Sequence, residues 1–187
     1  MITPVVVQDI LSQEQIDRIY NQVKPFIEEN TSRVLTDSDL GYFAYTYPLD
    51  RDIRNAIRDK AIELSGVELN KVGISFARYT SKTGYIPQLP PHYDIMLEKP
   101  SFTFSVQLNN TKPWDLSVED NTYSLSYNEA LFFSGTHQVH YRPPIFFDTD
   151  DYFDILVCQI SSDKSDILTD EHRAYMQERI EHYKNML

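Results

Sequence analysis

Cysteine and glycine are scarce in this chain. Its 187 residues contain one cysteine and five glycines. A single cysteine excludes an intrachain disulfide and is typical of proteins from a reducing compartment. That residue, Cys158, ends the apolar run Ile155–Cys158, which predicts a buried small hydrophobic side chain. So few glycines also disfavour loops that cradle phosphate groups.

Several short functional motifs are absent as well. The sequence contains no P-loop, no dinucleotide-binding glycine fingerprint, no GxSxG and no HExxH. These absences argue against nucleotide-binding enzymes, serine hydrolases of the α/β type and zinc proteases with that helical motif.

Positive charge is in short supply. The chain has 17 basic and 28 acidic residues, for a net charge of -11, and no basic cluster. Such acidity opposes binding to nucleic acid or to an anionic membrane. No apolar run approaches transmembrane length, and Met1–Pro4 lacks the basic and apolar parts of a signal peptide. We therefore expect a cytoplasmic protein with no nucleic-acid or membrane partner, while the sequence leaves its oligomeric state open.

The chain is rich in aromatic residues and in segments that alternate between apolar and polar residues. Aromatic residues make up 13% of the sequence and hydrophobic residues 41%. Together with many short period-two runs, this predicts an α+β protein with a mainly β core, built as a sandwich or jelly-roll barrel. The predicted core strands are 72–79, 102–108, 116–118, 123–125, 130–133, 138–142 and 152–160.

Helices are predicted on both sides of this core. Ser12 and Gln15 form a capping box before an amphipathic stretch in which Pro25 is expected to kink or end the helix. Asp50 and Gly66 are placed to begin and end a second helix. We expect one domain over residues 1–187, with helical support at 11–66, a jelly-roll core at about 72–161 and a C-terminal helix at about 169–186.

The candidate metal site begins at His92 and Asp94. These residues are two apart, so an extended strand would point both to one face. A second imidazole from a distant strand would complete a 2-His-1-carboxylate triad, which suits Fe(II). His137 and His140 compete for this place, and His140 is favoured because it shares a face with Arg142, whose guanidinium could grip an anionic co-substrate.

Other interpretations remain open at this point. Zinc also accepts two histidines and one aspartate plus water, although a hydrolase would want a further general base. The two remaining histidines, His172 and His182, fall on the charged C-terminal helix and are predicted to be solvated.

Four stretches of the sequence follow one another in an order that one enzyme family shares. They are Ile10–Glu14, Ala61–Gly66, Phe76–Tyr79 with Gly84-Tyr85 and Pro91–Asp94, and Leu125–His140. Over Leu11 to Arg142 the chain resembles the Fe(II)- and 2-oxoglutarate-dependent oxygenases of the prolyl-4-hydroxylase-like type. These enzymes are double-stranded β-helix (jelly-roll) proteins, and the resemblance covers most of the chain.

The resemblance implies a role for each matching residue. His92, Asp94 and His140 would be the iron ligands and the catalytic centre, and Tyr79 would line the 2-oxoglutarate pocket. The family usually carries the basic residue for the far carboxylate on the strand after the distal histidine, but Tyr152–Ile160 has no Lys or Arg. Arg142 is therefore expected to bind 2-oxoglutarate, with Arg78 as the alternative.

The activity implied by the resemblance is that of a dioxygenase that hydroxylates an unactivated C–H bond. Its cofactors would be Fe(II) and 2-oxoglutarate with O2, and ascorbate as an optional reductant. The substrate would be a peptidyl or free amino acid, or another small molecule, and Tyr85, Tyr93 and Phe104 would shield the site. A non-enzymatic jelly-roll binding module and a zinc-dependent cupin-like enzyme are the alternatives.

Overall fold

Two antiparallel sheets form the body of the protein. The computed structural model describes residues 2–28, 43–46, 50–81, 88–94, 99–166 and 168–187, of which 43–46, 99–100 and 163–166 are described by their backbone. The larger sheet has six strands and the smaller one four. Three helices accompany the sheets. The predicted α+β jelly roll is confirmed, while Gly84 and Tyr85 lie outside the described residues.

The elements follow one another with short connections in the second half of the chain. In order they are β1 (Val5–Val7), α1 (Gln13–Glu28), β2 (Phe43–Thr46), α2 (Arg51–Ser65), β3 (Lys71–Thr80), β4 (Leu89–His92), β5 (Lys99–Asn110), β6 (Leu116–Val118), β7 (Asn121–Tyr123), β8 (Ala130–Phe133), β9 (His140–Arg142), β10 (Tyr152–Asp166) and α3 (Asp170–Lys184). The strand order is β1-β8-β5-β10-β3-β2 in the larger sheet and β4-β9-β6-β7 in the smaller. No helix among the described residues has the length and apolarity needed to cross a membrane.

The helix ends follow the local signals of the sequence. The Ser12 backbone N–H donates to Gln15 Oε1 over 2.8 Å, and the Gln15 N–H donates to Ser12 Oγ over 3.2 Å, which completes the capping box. Asp50 caps α2, and Gly66 ends it in the left-handed conformation at φ 68°. Pro25 does not end α1, which continues to Glu28.

Strand β10 divides the interior into two cores. Its Leu156, Cys158 and Ile160 pack toward α1 and α2, whereas Phe153 and Ile155 face the inside of the barrel. Each large apolar side chain buried in this way contributes about 1.5–3 kcal/mol. Burial raises the pKa of the Cys158 thiol to about 12, so this cysteine is an unreactive core residue, as its apolar surroundings predicted.

Strand β5 alternates between apolar and polar side chains, and the polar ones face the barrel interior. Phe102, Phe104, Val106 and Leu108 belong to the core shared with the helices. The buried polar set on the opposite face is Ser101, Thr103, Ser105 and Gln107. The expectation that Phe104 shields the metal site is therefore wrong, because its ring packs against Phe132 at a centroid distance of 4.6 Å on the helix side.

A buried ion pair fastens α1 to the larger sheet. Arg78 donates two hydrogen bonds of 2.7 Å to the carboxylate of Asp154, which is completely buried. The hydroxyl of Tyr20 on α1 donates to the same carboxylate over 2.9 Å. Removing one partner of a buried ion pair leaves the other charge in a medium that cannot solvate it.

Replacing Arg78 by Met should lower the free energy of unfolding by about 3 kcal/mol, because Asp154 would stay buried without its cation. The double variant Arg78→Met/Asp154→Leu should recover much of this loss, since it leaves no unpaired charge. Urea denaturation of the three proteins measures both differences.

The loss of unfolding free energy in Arg78→Met, relative to the wild type, should also depend on pH. Burial raises the pKa of Asp154, and Arg78 opposes that rise, so losing Arg78 raises the pKa further. A raised native-state pKa favours the protonated carboxyl in the folded protein, so the deficit should shrink as the pH falls and grow as it rises. Equal deficits at about pH 5 and about pH 8 would contradict this origin of the instability.

Candidate metal centre

Antiparallel pairing of β4 with β9 places the two candidate histidines side by side. His92 lies opposite His140 in the register, and their ring centroids are 4.1 Å apart. Asp94 follows just beyond the end of β4, and its Oδ1 lies 3.8 Å from His140 Nε2. One ligand atom from each of the three residues lies within 4.8 Å of the others. The three side chains could therefore hold one metal ion.

Backbone carbonyls orient both imidazoles. His92 Nδ1 lies 2.8 Å from the Pro90 carbonyl, and His140 Nδ1 lies 3.1 Å from the Gln138 carbonyl. Because a carbonyl oxygen only accepts, each Nδ1 must carry the proton. In a neutral imidazole held in this way Nε2 keeps the lone pair, which is the arrangement that a metal-binding histidine needs.

The charge state of His140 also suits a metal ligand. Burial, reinforced by the neighbouring His92, lowers the pKa of His140 from 6.5 to about 4. The imidazole is therefore neutral near pH 7, and the neutral form is the one that coordinates metal ions.

Asp94 is held by two contacts that sequence reasoning did not find. Its backbone N–H donates to the Gly135 carbonyl over 2.8 Å, and its Oδ2 accepts a 2.7 Å hydrogen bond from Thr103 Oγ1. The missing side chain of Gly135 makes room for the carboxylate, since a Cβ there would lie 2.1 Å from Asp94 Oδ2.

The other three histidines lie outside the triad. His137 is in the turn after β8, where its Nδ1 lies 2.9 Å from Thr136 Oγ1. His172 is half-buried, and its Nε2 lies 2.7 Å from the Thr136 carbonyl while its ring packs 4.7 Å from that of His137. The prediction that His172 is solvated is therefore wrong, whereas His182 is exposed as predicted.

Arg142 is a buried cation with neutral partners. It is 2% exposed and lies on the same face of β9 as His140. Its guanidinium donates to the Trp114 carbonyl and, over 3.3 Å, to Ser105 Oγ, while its Nε has no partner in the described part of the chain. Burial lowers the pKa of Arg142 to about 10, which leaves it charged at neutral pH. A buried cation with a spare donor is suited to an anionic ligand.

Aromatic rings enclose this guanidinium. Its central carbon lies 4.8 Å from the Phe153 ring centroid and 5.5 Å from that of Trp114. Tyr79 is buried at the same place, with its ring 4.8 Å from Trp114 in an edge-on contact. Trp114, the single tryptophan, carried no sequence signal for this position.

The alternative anchor, Arg78, lies on the other face of its strand. Tyr79 faces the barrel interior with Ala77, and the alternation of β3 turns Arg78 toward the helices, where Asp154 neutralises it. The structure thus brings Arg142, and not Arg78, to the interior that His140 faces.

Glu119 connects the C-terminal helix to the strand of His140. Its backbone N–H donates to the Val139 carbonyl over 2.8 Å, and its Oε1 accepts from the Val139 N–H over 2.8 Å. The other oxygen, Oε2, accepts hydrogen bonds from Arg179 and Tyr183 of α3. Sequence reasoning missed this residue because its partners come from two remote segments.

Comparison with known proteins gives results for structure and none for sequence. No protein-family model matches the chain, and no curated protein matches it. Solved structures do resemble it over most of its length.

Three of these structures illustrate the likeness. AviO1 from Streptomyces viridochromogenes Tue57 has a TM-score of 0.62 at 12% identity, over 87% of this chain and 91% of that one. A Pseudomonas putida prolyl-4-hydroxylase has a TM-score of 0.61 at 10% identity, over 85% and 92%. SnoN, a non-heme alpha-ketoglutarate-dependent epimerase from nogalamycin biosynthesis, has a TM-score of 0.65 at 15% identity, over 85% and 77%.

SnoN has also been solved in complex with Fe3+, alpha-ketoglutarate and nogalamycin RO, and another similar structure is named as an oxidoreductase of the 2OG-Fe(II) oxygenase family. At these identities the likeness concerns the fold. The chain therefore has the jelly-roll fold of the Fe(II)- and 2-oxoglutarate-dependent oxygenases.

Proposed function

We propose that this protein is an Fe(II)- and 2-oxoglutarate-dependent dioxygenase that hydroxylates an unactivated C–H bond. In this proposal His92, Asp94 and His140 hold the iron and form the catalytic centre, and Arg142 and Tyr79 bind 2-oxoglutarate. The observation that carries it is the position of Arg142, a buried cation whose hydrogen-bond partners in the described part of the chain are neutral, on the same face of β9 as His140 of the clustered His92, Asp94 and His140.

The donor set fits the proposed metal. Two neutral imidazole nitrogens and one carboxylate oxygen on a single side are the ligands of non-heme Fe(II) oxygenases, and the remaining positions stay open. When bound, Fe(II) with 2-oxoglutarate and O2 would supply the oxidising power that attacks a C–H bond. The protein's part is to orient the ligands, hold the co-substrate and exclude water.

Arg142 is placed to hold the far carboxylate of the co-substrate. Two residues along a strand are separated by about 7 Å, so an anion on the guanidinium lies within a short molecule's length of the His140 side chain. A dicarboxylate can therefore reach both ends of the site. The unpaired Nε of Arg142 would gain an acceptor, and the Tyr79 hydroxyl would add a hydrogen bond.

The buried Arg142, with its spare donor, also separates the proposal from its two alternatives. A zinc-dependent cupin-like enzyme would use the same triad but has no need of a buried cation beside it. A non-enzymatic jelly-roll module would have no need of either group. In the described part of the chain the hydrogen-bond partners of Arg142 are neutral, and burying a guanidinium in this way is costly, so its presence favours a site that receives an anion.

The substrate class is a separate part of the proposal. The neighbouring structures include prolyl-4-hydroxylases, an epimerase and a carbocyclase, so this fold serves several reactions. We propose a peptidyl or free amino acid, of the prolyl type, as the first class to test. The acidity of the chain argues against nucleic acid.

The triad can be tested with single substitutions. His92→Ala and Asp94→Ala should each reduce succinate formation from 2-oxoglutarate to background, in assays supplied with Fe(II), ascorbate and air. The reason is that two remaining ligands cannot hold the metal firmly. His182→Ala is the matched control, because His182 is exposed on α3, and it should keep the wild-type rate.

Turnover that survives in His92→Ala or Asp94→Ala would remove the triad assignment. Activity restored by zinc but not by iron would support the cupin-like alternative. A wild-type protein that binds neither Fe(II) nor 2-oxoglutarate in anaerobic calorimetry would support the non-enzymatic module.

The co-substrate anchor needs a separate test. Arg142→Gln should weaken 2-oxoglutarate binding to the Mn2+-loaded protein by about 10- to 100-fold, since a charge-assisted hydrogen bond contributes about 1.5–3 kcal/mol. Affinity for Mn2+ itself should change little. Calorimetry under anaerobic conditions measures both constants.

The control for this variant is Arg173→Gln, which removes an exposed guanidinium from α3. It should bind 2-oxoglutarate like the wild type. If Arg142→Gln binds 2-oxoglutarate as tightly as Arg173→Gln does, Arg142 is not the anchor.

A further inference from the structure

The two oxygens of the Asp94 carboxylate have different surroundings. Oδ1 faces His140 Nε2 at 3.8 Å, on the side where a metal would sit. Oδ2 accepts a 2.7 Å hydrogen bond from the hydroxyl of Thr103. Thr103 is 2% exposed and lies on the interior face of β5. The carboxylate is therefore fixed with one oxygen toward the histidines and the other toward the sheet.

Gly135 closes the space around the second oxygen. A Cβ at position 135 would lie 2.1 Å from Asp94 Oδ2 and 2.5 Å from Thr103 Oγ1, both far shorter than any real contact. The Gly135 carbonyl also accepts the Asp94 backbone N–H over 2.8 Å. Oδ2 is thus enclosed between the backbone of a turn and the hydroxyl of a neighbouring strand, and the carboxylate has little room to rotate.

Thr103 is itself held rigidly. In the register it lies opposite Phe133 of β8 and Gln159 of β10, so its strand is paired on both sides. A β-branched side chain has few rotamers, which keeps its hydroxyl directed at Asp94.

We propose that Thr103 is a positioning residue that commits Asp94 to bind the metal through Oδ1 alone. This inference rests on the proposed function. An octahedral ion has six positions, and two imidazoles with one carboxylate oxygen fill three of them. A carboxylate that bound through both oxygens would fill four. Keeping Oδ2 on Thr103 preserves three positions, enough for a co-substrate that occupies two and for O2.

The test compares Thr103→Val with Thr103→Ser. Valine keeps the shape of threonine but has no hydroxyl, whereas serine keeps the hydroxyl. At saturating Mn2+, affinity for 2-oxoglutarate measured by anaerobic calorimetry should fall by about 10-fold or more in Thr103→Val, the usual scale when the partner of a metal ligand is lost, because the freed Oδ2 can take a position that the co-substrate needs. Thr103→Ser should stay close to the wild type, because its hydroxyl can still donate to Oδ2.

A second measurement separates positioning from general damage. The Thr103→Val protein should still bind Mn2+, since the freed Oδ2 remains available as a metal ligand, and the metal-free variant should still unfold in a single cooperative transition. Thr103→Ala serves in place of Thr103→Val if the valine variant does not fold.

Each outcome decides one question. Wild-type affinity for 2-oxoglutarate in both Mn2+-saturated Thr103→Val and Thr103→Ala would overturn the role of Thr103 and leave the triad intact. A wild-type protein that binds no divalent metal would instead overturn the proposed function. Weakened binding in Thr103→Ser to the level of Thr103→Val would show that the hydroxyl is not the operative group and would also overturn the proposal.

Discussion

The pairing of β4 with β9 is the constraint on which the candidate site depends. It sets His92 opposite His140 and, beyond a shift in register, Leu89 opposite Arg142. A slip of one residue would turn every side chain of the shorter strand to the opposite face, so triad and arginine would be lost together. The site is consequently a property of strand register, which the rest of the fold must secure.

Three kinds of contact secure it from different sides. Glu119 holds both backbone groups of Val139, next to His140, and is itself held by α3. Thr103 and Gly135 fix Asp94 from the larger sheet. The polar interior face of β5 makes this possible, because its hydroxyls replace the apolar side chains that would otherwise fill a barrel. One face of β5 thus supports the candidate metal ligands, and its opposite face packs against the helices.

Local patterns in the sequence predicted the parts of this arrangement that depend on near neighbours. The i, i+2 spacing of His92 and Asp94, the alternation of β5 and the capping box at Ser12 all depend on residues close in sequence. Thr103, Glu119 and Trp114 were missed because their partners lie 9, 20 and 28 residues away, and no pattern reveals which strands pair. His172 was misjudged although it stands four residues before Met176, on the helical stripe that packs under β4. The prediction gave more weight to the charged residues around His172 than to its position on this stripe.

The neutral surroundings of Arg142 have a thermodynamic consequence. A buried charge whose direct partners in the described part of the chain are neutral lowers the stability of the ligand-free protein, and an anion that binds only the folded state restores it in proportion to the logarithm of its concentration. Resistance to unfolding and to proteolysis would then rise with the supply of that anion. If the anion is 2-oxoglutarate, as proposed, the stability of the folded protein would depend on the concentration of its own co-substrate.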